Sequence, residues 1–411
     1  MRIMVQKYGG TSVKGLERMR LVLDRVRKSH ALGYKMVVAL SAMSGETNKL
    51  LAQARDFSPN PDLAELDVLV TTGEQVSVAL FTMLAKDAGL RARSLLGHQI
   101  PITTNSNFTR ARIMEIDAAR IKAMLEDYDL LVVAGFQGVD CHGRVTTLGR
   151  GGSDTTGVAL AAALDAEVCE IYTDVNGVYT TDPNLCRTAR KLDRITYDEM
   201  LELSSQGAKV LQIRSVEFAK KFNVPVRVRS TFSDDPGTLV TSEDTEMEDV
   251  LVSGIAYDKD QCRITVRNVM DRPGVAAAIF GPIAEAGIIV DMIIQNTGRD
   301  GRTDMTFTIS RSNLDTTMAI LDKLRPDIGA EEIQHDVHVC KVSVIGVGMR
   351  SHSGVASTMF TLLKKENINI LMISTSEIKI TCLIEEKYLE LAVRTLHDAF
   401  GLSEAPTKAC A

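Results

Sequence analysis

The chain has 411 residues, 45% of them hydrophobic and 24% charged, which is typical of a soluble globular protein with two or three domains. A formal charge of −6 without a basic block argues against nucleic acid and anionic membranes as partners. We expect a cytoplasmic protein, because there is no secretion signal, no apolar run of membrane-spanning length, and only scattered cysteines.

Strand and helix patterns alternate from residue 1 to about residue 230. The predicted strands are apolar along their length: Ile3–Tyr8, Met36–Ala42, Arg93–Leu96, Leu130–Phe136, Glu170–Thr173 and Val224–Arg229. This pattern predicts an α/β domain, an αβα sandwich in which helices cover both faces of a mainly parallel sheet. Ligands of such sheets bind beyond the carboxyl ends of the strands, so the loops at those ends are candidates for a site.

A polar, acidic segment at residues 231–250 predicts a linker to a second region. That region repeats itself, because Asp271–Ala276 aligns with Ser351–Ala356 at an offset of 80 residues, and apolar pairs follow at the same offset. Strand patterns precede and follow both copies. We therefore predict two βαββαβ modules in tandem, the first over residues 251–336 and the second over 337–411.

Three segments at predicted strand or helix ends carry polar residues that could bind a ligand. In Lys7–Ser12 a lysine beside two glycines would suit a phosphate, with a helix cap as the alternative. Ser41–Asn48 is a substrate loop or a helix N-cap. Thr71–Glu74 stands before a predicted helix, where Glu74 either caps that helix or binds an amino group.

A fourth segment, Thr146–Thr156, places three glycines and Arg150 between a strand and an alanine-rich helix. Arginine can hold a carboxylate or phosphate with two parallel hydrogen bonds, and a helix N-terminus favours an anion. A tight glycine turn capped by Asp154 is the alternative. The segment therefore predicts either an anion site or a structural turn.

Two further segments hold charged residues near turns. Asp174 and Asp182, in Tyr172–Pro183, could bind a magnesium–nucleotide, although Asn-Gly and Asp-Pro are also ordinary turn residues. Lys209 stands near a predicted helix start, where lysine is unfavourable, so it is either a functional cation or a solvated side chain.

The order and spacing of these segments resemble those of the aspartate kinases of the amino-acid kinase family. The matching segments are Lys7–Ser12, Thr147–Asp154, Thr173–Pro183 and Gly207–Leu211. The repeat resembles the paired, ferredoxin-like ACT domains of these enzymes, in which a strand at residues 251–258 would be donated to the second domain. The resemblance implies phosphate transfer from MgATP to the side-chain carboxylate of L-aspartate, giving 4-phospho-L-aspartate and ADP, the first step towards lysine, threonine, methionine and diaminopimelate.

The resemblance also implies roles for single residues. The catalytic residues would be Lys7, Asp154 and Lys209. The ATP site would contain Lys7, Gly9, Gly10, Thr173, Asp174, Tyr179, Asp182, Arg187 and Lys209, with Mg²⁺ held by the ATP phosphates and no protein metal site. The aspartate site would contain Ser41, Thr47, Glu74, Arg150, Gly151, Gly152 and Ser153. Arg150 would bind the carboxylate and Glu74 would lie near the amino group.

The ACT pair implies a homo-oligomer, assembled through these domains, that is inhibited by lysine, threonine or both. The effector-binding residues would be Asp271, Gly274, Asp291, Gln295, Gly354, Val355 and Asn369. Ile289 stands where the family's first repeat has an asparagine, so one polar contact to an effector is missing there. A dimerisation module without effector binding is the alternative. Met247 is a candidate internal start for a separate regulatory chain.

Two other functions compete with this reading. The chain could be a kinase for another acid, such as glutamate or acetylglutamate, and Arg150, Glu74 and the ACT pair discriminate between these substrates. It could also be a non-catalytic amino-acid sensor, against which the presence of Lys7, Asp154 and Lys209 argues.

Overall fold

The computed structural model describes residues 1–207, 210–243, 251–296, 301–350 and 352–404. The chain forms two compact units. The first unit comprises residues 1–179 and 191–249, and the second comprises residues 180–190 and 250–411. A short piece of the predicted N-terminal domain, Thr180–Arg190, therefore belongs to the second unit.

The first unit alternates strands and helices as expected. Its strands are β1 (Ile3–Tyr8), β2 (Lys35–Leu40), β3 (Ala92–Leu95), β4 (Ile102–Thr104), β5 (Ile113–Ile116), β6 (Leu130–Ala134), β7 (Gln137–Val139), β8 (Val145–Thr147), β9 (Cys169–Thr173), β10 (Arg194–Thr196), β11 (Val226–Ser230) and β12 (Thr238–Thr241). Its helices are α1 (Leu16–Ala31), α2 (Glu46–Phe57), α3 (Leu63–Asp87), α4 (Ala118–Asp127), α5 (Gly152–Leu164), α6 (Tyr197–Ser205) and α7 (Ile213–Phe222). All six predicted strands are confirmed, with ends within two residues of the prediction.

An eight-stranded sheet in the order β10-β12-β11-β9-β1-β2-β6-β3 forms the centre of this unit. Its strands pair in parallel except for the antiparallel pair β11–β12, which confirms the predicted α/β fold. A smaller sheet, β5-β4-β7-β8, lies beside it in the same unit. Strand β1 is central, so the loop after it lies between the ends of β9 and β2.

Successive residues of β1 face opposite layers of helices. Met4 and Tyr8 belong to the apolar core that also contains buried residues of α1 and α3. Lys7 points to the other layer, because a Cβ on Gly157 of α5 would lie 3.0 Å from the Lys7 Cβ. The two-residue period of a strand thus places a lysine against the start of α5 while its neighbours fill the core.

The predicted linker at residues 231–250 needs correction. Strand β12 lies within it and pairs with both β10 and β11, with Thr238 and Val240 buried. A turn at Asp235–Gly237 reverses the chain into it, and the Asp235 carboxylate accepts the Gly237 N–H at 2.8 Å. The strand was missed because only four residues, in an otherwise acidic segment, carry its pattern.

Helix α3 corrects two further expectations. It runs unbroken over 25 residues, so the predicted helix start after Gly73 was wrong. By length and composition it could cross a membrane, contrary to the expectation that no segment is long enough. Its buried face, however, packs into the first unit and carries Asp67 and Glu74, whose carboxylates accept hydrogen bonds from backbone N–H groups of that unit. These contacts identify α3 as a core helix of the sandwich.

The second unit contains one antiparallel sheet in the order β14-β15-β13-β16-β18-β17. Its strands are β13 (Gly254–Met270), β14 (Ile293–Gln295), β15 (Arg302–Ile309), β16 (Glu332–Ile345), β17 (Met372–Thr375) and β18 (Lys379–Glu385). Its helices are α8 (Val275–Glu285), α9 (Leu314–Ile328), α10 (Val355–Lys365) and α11 (Leu389–Ala399). The order strand, helix, two strands and helix occurs twice, which confirms the predicted repeat.

The long strands β13 and β16 each contribute to two apolar cores. The first part of β13, Gly254–Asp258, pairs with Lys341–Ile345, and Ile255 packs in the core under α10 and α11. After two shifts of register, Arg263–Arg267 pairs with the start of β16, and this part packs under α8 and α9. The two repeats therefore exchange strand segments and form one continuous sheet.

Candidate active site

A buried ion pair lies at the carboxyl end of β1. The Lys7 Nζ is 2.5 Å from the Asp154 Oδ1, and both side chains are about nine-tenths buried. Asp154 lies in the first turn of α5, where the helix dipole favours a negative charge. Burying two charges costs desolvation free energy, which their mutual attraction offsets only in good geometry. A buried ion pair therefore contributes little net stability. Because this pair lies at a strand end, where ligands of such sheets bind, a functional role explains it better than a structural one.

Two glycines make room for the lysine of this pair. Gly157 lets α5 pack directly over the Lys7 stem, because a Cβ there would crowd it. A Cβ on Gly9 would lie 3.6 Å from the Lys7 Nζ, so glycine leaves open space beside the ammonium group. The Gly9 N–H donates to the Tyr172 carbonyl at 3.3 Å, which ties the loop to the end of β9. A phosphate-sized anion could therefore approach the lysine from this side.

The loops after β1 and β2 are held together by backbone hydrogen bonds. The Ser41 N–H donates to the Tyr8 carbonyl at 3.2 Å, and the Ser44 N–H donates to the Gly10 carbonyl at 3.1 Å. Thr47 follows in the first turn of α2 and is half-buried. The predicted substrate residues Ser41 and Thr47 thus lie on loops that the structure brings next to the lysine-bearing loop.

Glu74 has one carboxylate oxygen engaged and one unused. Its Oε1 accepts the Ala42 N–H at 3.0 Å, whereas the buried Oε2 has no hydrogen-bond partner among the described residues. Burial raises the pKa of Glu74 to about 7, although the Ala42 hydrogen bond opposes the shift. Gly73 allows this close approach, because a Cβ there would lie 2.8 Å from the Ala42 Cβ. An unsatisfied buried oxygen is costly unless a donor, such as an amino group, is supplied by a ligand.

The loop Leu148–Gly151 presents Arg150 at the start of α5. Arg150 is exposed, and no hydrogen bond or ion pair holds its guanidinium among the described residues. Gly151 has a left-handed backbone, φ 68°, at the N-cap position, where a side chain would also overlap Gln212. Gly152 and Ser153 are buried in the first turn of α5, and Ser153 lies against Gly135 at the end of β6. The helix start thus joins the ends of β1 and β6.

This loop is held by Asp67 and Arg214, two residues that were not predicted from the sequence. Asp67 of α3 accepts hydrogen bonds from the backbone N–H groups of Thr109 and Thr147 at 2.9 and 2.7 Å, and from the Thr147 hydroxyl at 2.7 Å. Arg214 of α7 donates to the Leu148 carbonyl at 2.5 Å. The available signal was weak: Asp67 is seven residues before Glu74, which places both on one face of a helix.

The predicted nucleotide residues are divided between the two units. Thr173 is half-buried at the end of β9, Asp174 is exposed beside it, and Tyr179 forms an isolated bridge with Lys191. All three lie in the first unit, as do Gly9 and Gly10. Lys209 lies outside the described residues. Contact between these residues and ATP remains a prediction.

Asp182 and Arg187 lie in the segment Thr180–Arg190 of the second unit. The Asp182 Oδ2 accepts a hydrogen bond from the Tyr257 hydroxyl at 2.7 Å. Burial raises the pKa of Tyr257 to about 12, and the Asp182 hydrogen bond adds to that shift. Arg187 is exposed. A role in nucleotide binding would therefore require Asp182 to share its carboxylate with a tyrosine that already binds it.

The predicted effector residues occupy corresponding places in the two repeats. Gly274 and Gly354 both have left-handed backbones, φ 93° and 106°, immediately before α8 and α10. Asp271, Gln295 and Asn369 are exposed, Val355 is buried, and Ile289 is 82% exposed. Asp291 forms an ion pair with Lys341 of β16, whose side chain is almost fully buried. Met247, the candidate internal start, lies outside the described residues.

Comparisons with known proteins fit this arrangement. The sequence pattern of the amino acid kinase family matches residues 2–230, and ACT domain patterns match residues 263–326 and 342–400. The chain therefore belongs to the amino acid kinase family, carries two ACT domains, and is a kinase.

Relatives that match over nearly the whole chain are aspartate kinases. The chain is 55% identical over 409 residues to the aspartate kinase of Pseudomonas putida, covering 99% of both proteins. It is 52% identical over 406 residues to the aspartokinase of Helicobacter pylori, covering 98% of this chain and 100% of that one.

Solved structures of aspartokinases are also similar. Escherichia coli aspartokinase III in complex with aspartate and ADP superposes with a TM-score of 0.81 at 28% identity, covering 97% of this chain and 99% of that one. The same enzyme in complex with lysine and aspartate gives a TM-score of 0.77 at 28% identity, with the same coverage.

Proposed function

We propose that this protein is an aspartate kinase that phosphorylates the side-chain carboxylate of L-aspartate with MgATP. The observation that carries the proposal is the set of groups at one sheet edge: the buried pair Lys7–Asp154, and the Glu74 Oε2 and the Arg150 guanidinium, neither of which has a partner in the described part of the chain. A cation for phosphate, an acceptor for an ammonium group and an arginine for one of the two aspartate carboxylates match charged groups of the reactants.

The proposed step needs positioning and charge neutralisation rather than a general base. An oxygen of the aspartate side-chain carboxylate, already ionised, forms a bond to the γ-phosphorus. The bond from that phosphorus to the oxygen bridging to the β-phosphate breaks, and ADP leaves with the electron pair. Lys7 would neutralise charge on the transferring phosphoryl group, and Asp154 would hold the Lys7 ammonium in place.

ATP and Mg²⁺ fit this arrangement in different ways. The open space at Gly9 beside the Lys7 Nζ is suited to a phosphate, and the backbone N–H groups of a glycine loop can approach it closely. Among the described residues no three carboxylate, histidine or cysteine side chains cluster as a metal site. We propose that Mg²⁺ would bind through the ATP phosphates and would supply further charge neutralisation there, as phosphoryl transfer requires.

We further propose that the product feeds the pathway to lysine, threonine, methionine and diaminopimelate, and that lysine, threonine or both inhibit the enzyme through the ACT domains. The complex of E. coli aspartokinase III with lysine supports regulation by lysine. We propose a homo-oligomer assembled through the ACT domains. A cytoplasmic location is consistent with the free state of all six cysteines among the described residues.

Incubation of the purified protein with MgATP, aspartate and hydroxylamine tests the proposal, because an acyl phosphate is trapped as the hydroxamate. We expect hydroxamate from L-aspartate and much less from glutamate or acetylglutamate. Product from glutamate alone would identify a different acid kinase. Nucleotide binding without product from any of these acids would indicate a sensor. Titration with lysine and threonine, singly and together, then tests the regulation.

A further inference from the structure

The loop that carries Arg150 is held by side chains on two different helices, Asp67 of α3 and Arg214 of α7. Thr147, which precedes this loop, and Leu148, its first residue, use all four of their backbone polar groups. The Thr147 N–H donates to Asp67 at 2.7 Å and its carbonyl accepts the Ala111 N–H at 2.8 Å. The Leu148 N–H donates to the Phe136 carbonyl at 2.9 Å and its carbonyl accepts from Arg214 at 2.5 Å. The chain therefore enters the loop in one defined direction.

Asp67 and Arg214 also hold the neighbouring segment of the chain. The second Asp67 contact is the Thr109 N–H at 2.9 Å, and the second Arg214 contact is the Ala111 carbonyl at 2.9 Å. A carboxylate thus binds two N–H groups and a guanidinium binds two carbonyls, across the same pair of segments. Asp67 is almost fully buried, so these are charge-assisted hydrogen bonds in a poorly hydrated place, where they are strong.

Asp67 and Glu74 lie on the same buried face of α3, about 10 Å apart along the helix axis. Glu74 faces the proposed site of the substrate amino group, whereas Asp67 holds the loop of the proposed carboxylate-binding arginine. One helix therefore carries both the acceptor for the proposed amino group and the carboxylate that holds the loop of Arg150.

We propose that Asp67, assisted by Arg214, is a positioning residue that fixes the Arg150 loop for the substrate carboxylate. This inference rests on the proposed function where it names the substrate. Neither residue touches the reacting atoms in this reading. Both act through the backbone that precedes Arg150, so their loss should weaken substrate binding more than it slows phosphoryl transfer.

The variant Asp67→Asn tests this proposal with little change in volume. Its amide oxygen can still accept the two N–H groups while its NH₂ donates to the Thr147 hydroxyl, so the contacts persist but lose the negative charge that strengthens them. We expect the KM for aspartate to rise about tenfold, the loss expected for a charged hydrogen bond, with kcat and the KM for ATP within about twofold of wild type. Arg214→Gln should shift the same constant in the same direction.

Asp140→Asn is the matched control. Asp140 is also a buried aspartate of the first unit that accepts backbone N–H groups, from His142 and Arg144, but it holds the β7–β8 turn and not the Arg150 loop. We expect all three kinetic constants of this variant to stay within about twofold of wild type. An equal rise in the aspartate KM for both variants, or a joint fall of kcat and both affinities in Asp67→Asn, would overturn the proposal.

Amide hydrogen exchange separates this inference from the proposed function. In Asp67→Asn the amides of Thr109 and Thr147 should exchange faster, while those of His142 and Arg144 should not; Asp140→Asn should give the reverse pattern. This measurement needs no substrate, so it is valid even if the wild-type protein forms no aspartyl hydroxamate. Unchanged exchange around Thr147 in Asp67→Asn would refute the positioning role, whatever acid the enzyme phosphorylates.

Discussion

Among the described residues, each unit has one lysine–aspartate ion pair whose lysine is buried, and the two pairs differ in how far the carboxylate is exposed. In the first unit both Lys7 and Asp154 are about nine-tenths buried. In the second unit Lys341 is fully enclosed, but the Asp291 side chain is 45% exposed. Water can therefore stabilise Asp291 without its lysine but cannot do so for Asp154. The two charges of the kinase pair therefore depend on each other, whereas the ACT pair leaves its carboxylate accessible to a ligand.

The surroundings of the two pairs differ as well. The Lys7–Asp154 pair shares its sheet edge with the Glu74 Oε2, which has no hydrogen-bond partner among the described residues, and Arg150 lies in the loop immediately before the helix that carries Asp154. Burial lowers the pKa of Lys341, and the Asp291 charge opposes that shift. The first pair thus lies near polar groups that have no partner among the described residues, whereas in the second pair the charge of Lys341 is compensated by Asp291 of the same unit.

Replacement of Lys7 by methionine should have the largest effect. Loss of a preorganised cation at the transferring phosphate should reduce kcat by about 10³-fold, with a smaller change in the KM for ATP. Asp154 would remain buried without a partner, which should also destabilise the first unit by about 3 kcal/mol. Steady-state kinetics and urea unfolding measure the two effects.

The double variant Lys7→Met/Asp154→Asn separates these effects. Removal of both charges should recover much of the stability, because no buried ion is left unpaired, but turnover should stay low. Turnover that recovers together with stability would show that the pair is only structural.

Replacement of Arg150 by alanine should rank second. Loss of a charge-assisted pair with the substrate carboxylate should raise the KM for aspartate by about 10- to 100-fold, with little change in stability because Arg150 is exposed. Exposed Arg112 of the same unit provides a control variant, Arg112→Ala. An effect confined to the KM for ATP would move Arg150 to the nucleotide site.

Replacement of Glu74 by glutamine should remove a pH dependence. The pKa of Glu74 is raised by burial to about 7, so the folded state binds its proton more tightly than the unfolded state. The contribution of Glu74 to stability is therefore most favourable below its unfolded pKa, near 4.5, and declines as pH rises towards 7. The total decline is roughly 3 kcal/mol. Glu74→Gln should flatten this part of the unfolding profile and be the more stable protein at pH 8.

Substrate binding should show the opposite dependence on pH. An aspartate ammonium group prefers the ionised carboxylate, so the KM for aspartate should rise as pH falls through 7 in the wild type. In Glu74→Gln it should be higher and nearly constant over this range. A wild-type KM that is flat from pH 6 to 8 would place the amino group elsewhere.

Local patterns predicted the sheet of the first unit and most of the loops at its carboxyl edge. Apolar strands and glycine-bearing loops are short-range signals, and Lys7 and Asp154 lie directly on them. Strand β12 was missed because four residues in an acidic segment carry too weak a pattern. The unbroken course of α3 was missed because Thr71–Glu74 has the composition of a helix start.

The remaining features depend on contacts between distant parts of the chain. Asp67 binds Thr147, 80 residues away, and no local pattern specifies that partner. The segment Thr180–Arg190 belongs to the second unit because the Ile255 N–H donates to the Thr180 carbonyl at 2.7 Å and Leu185 packs in the core under α10 and α11. The predicted nucleotide residues Asp182 and Arg187 lie in that segment, and only tertiary structure could have revealed its position.

Replacement of Lys341 by methionine should have the smallest effect on stability. It tests whether the partly exposed Asp291 tolerates the loss of its lysine better than the buried Asp154 does. Asp291 would be hydrated after the loss of its partner, and an apolar side chain would fill the buried site of Lys341, so stability should change by no more than about 1 kcal/mol. If an effector's ammonium group binds Asp291, the effector does not have to displace Lys341 in this variant. Inhibition should then require a lower effector concentration than in the wild type. Urea unfolding beside Lys7→Met, and titration of activity with lysine and threonine, measure both outcomes. A loss of stability as large as that of Lys7→Met would mean that the exposed carboxylate is not hydrated as inferred and that the two pairs are equivalent.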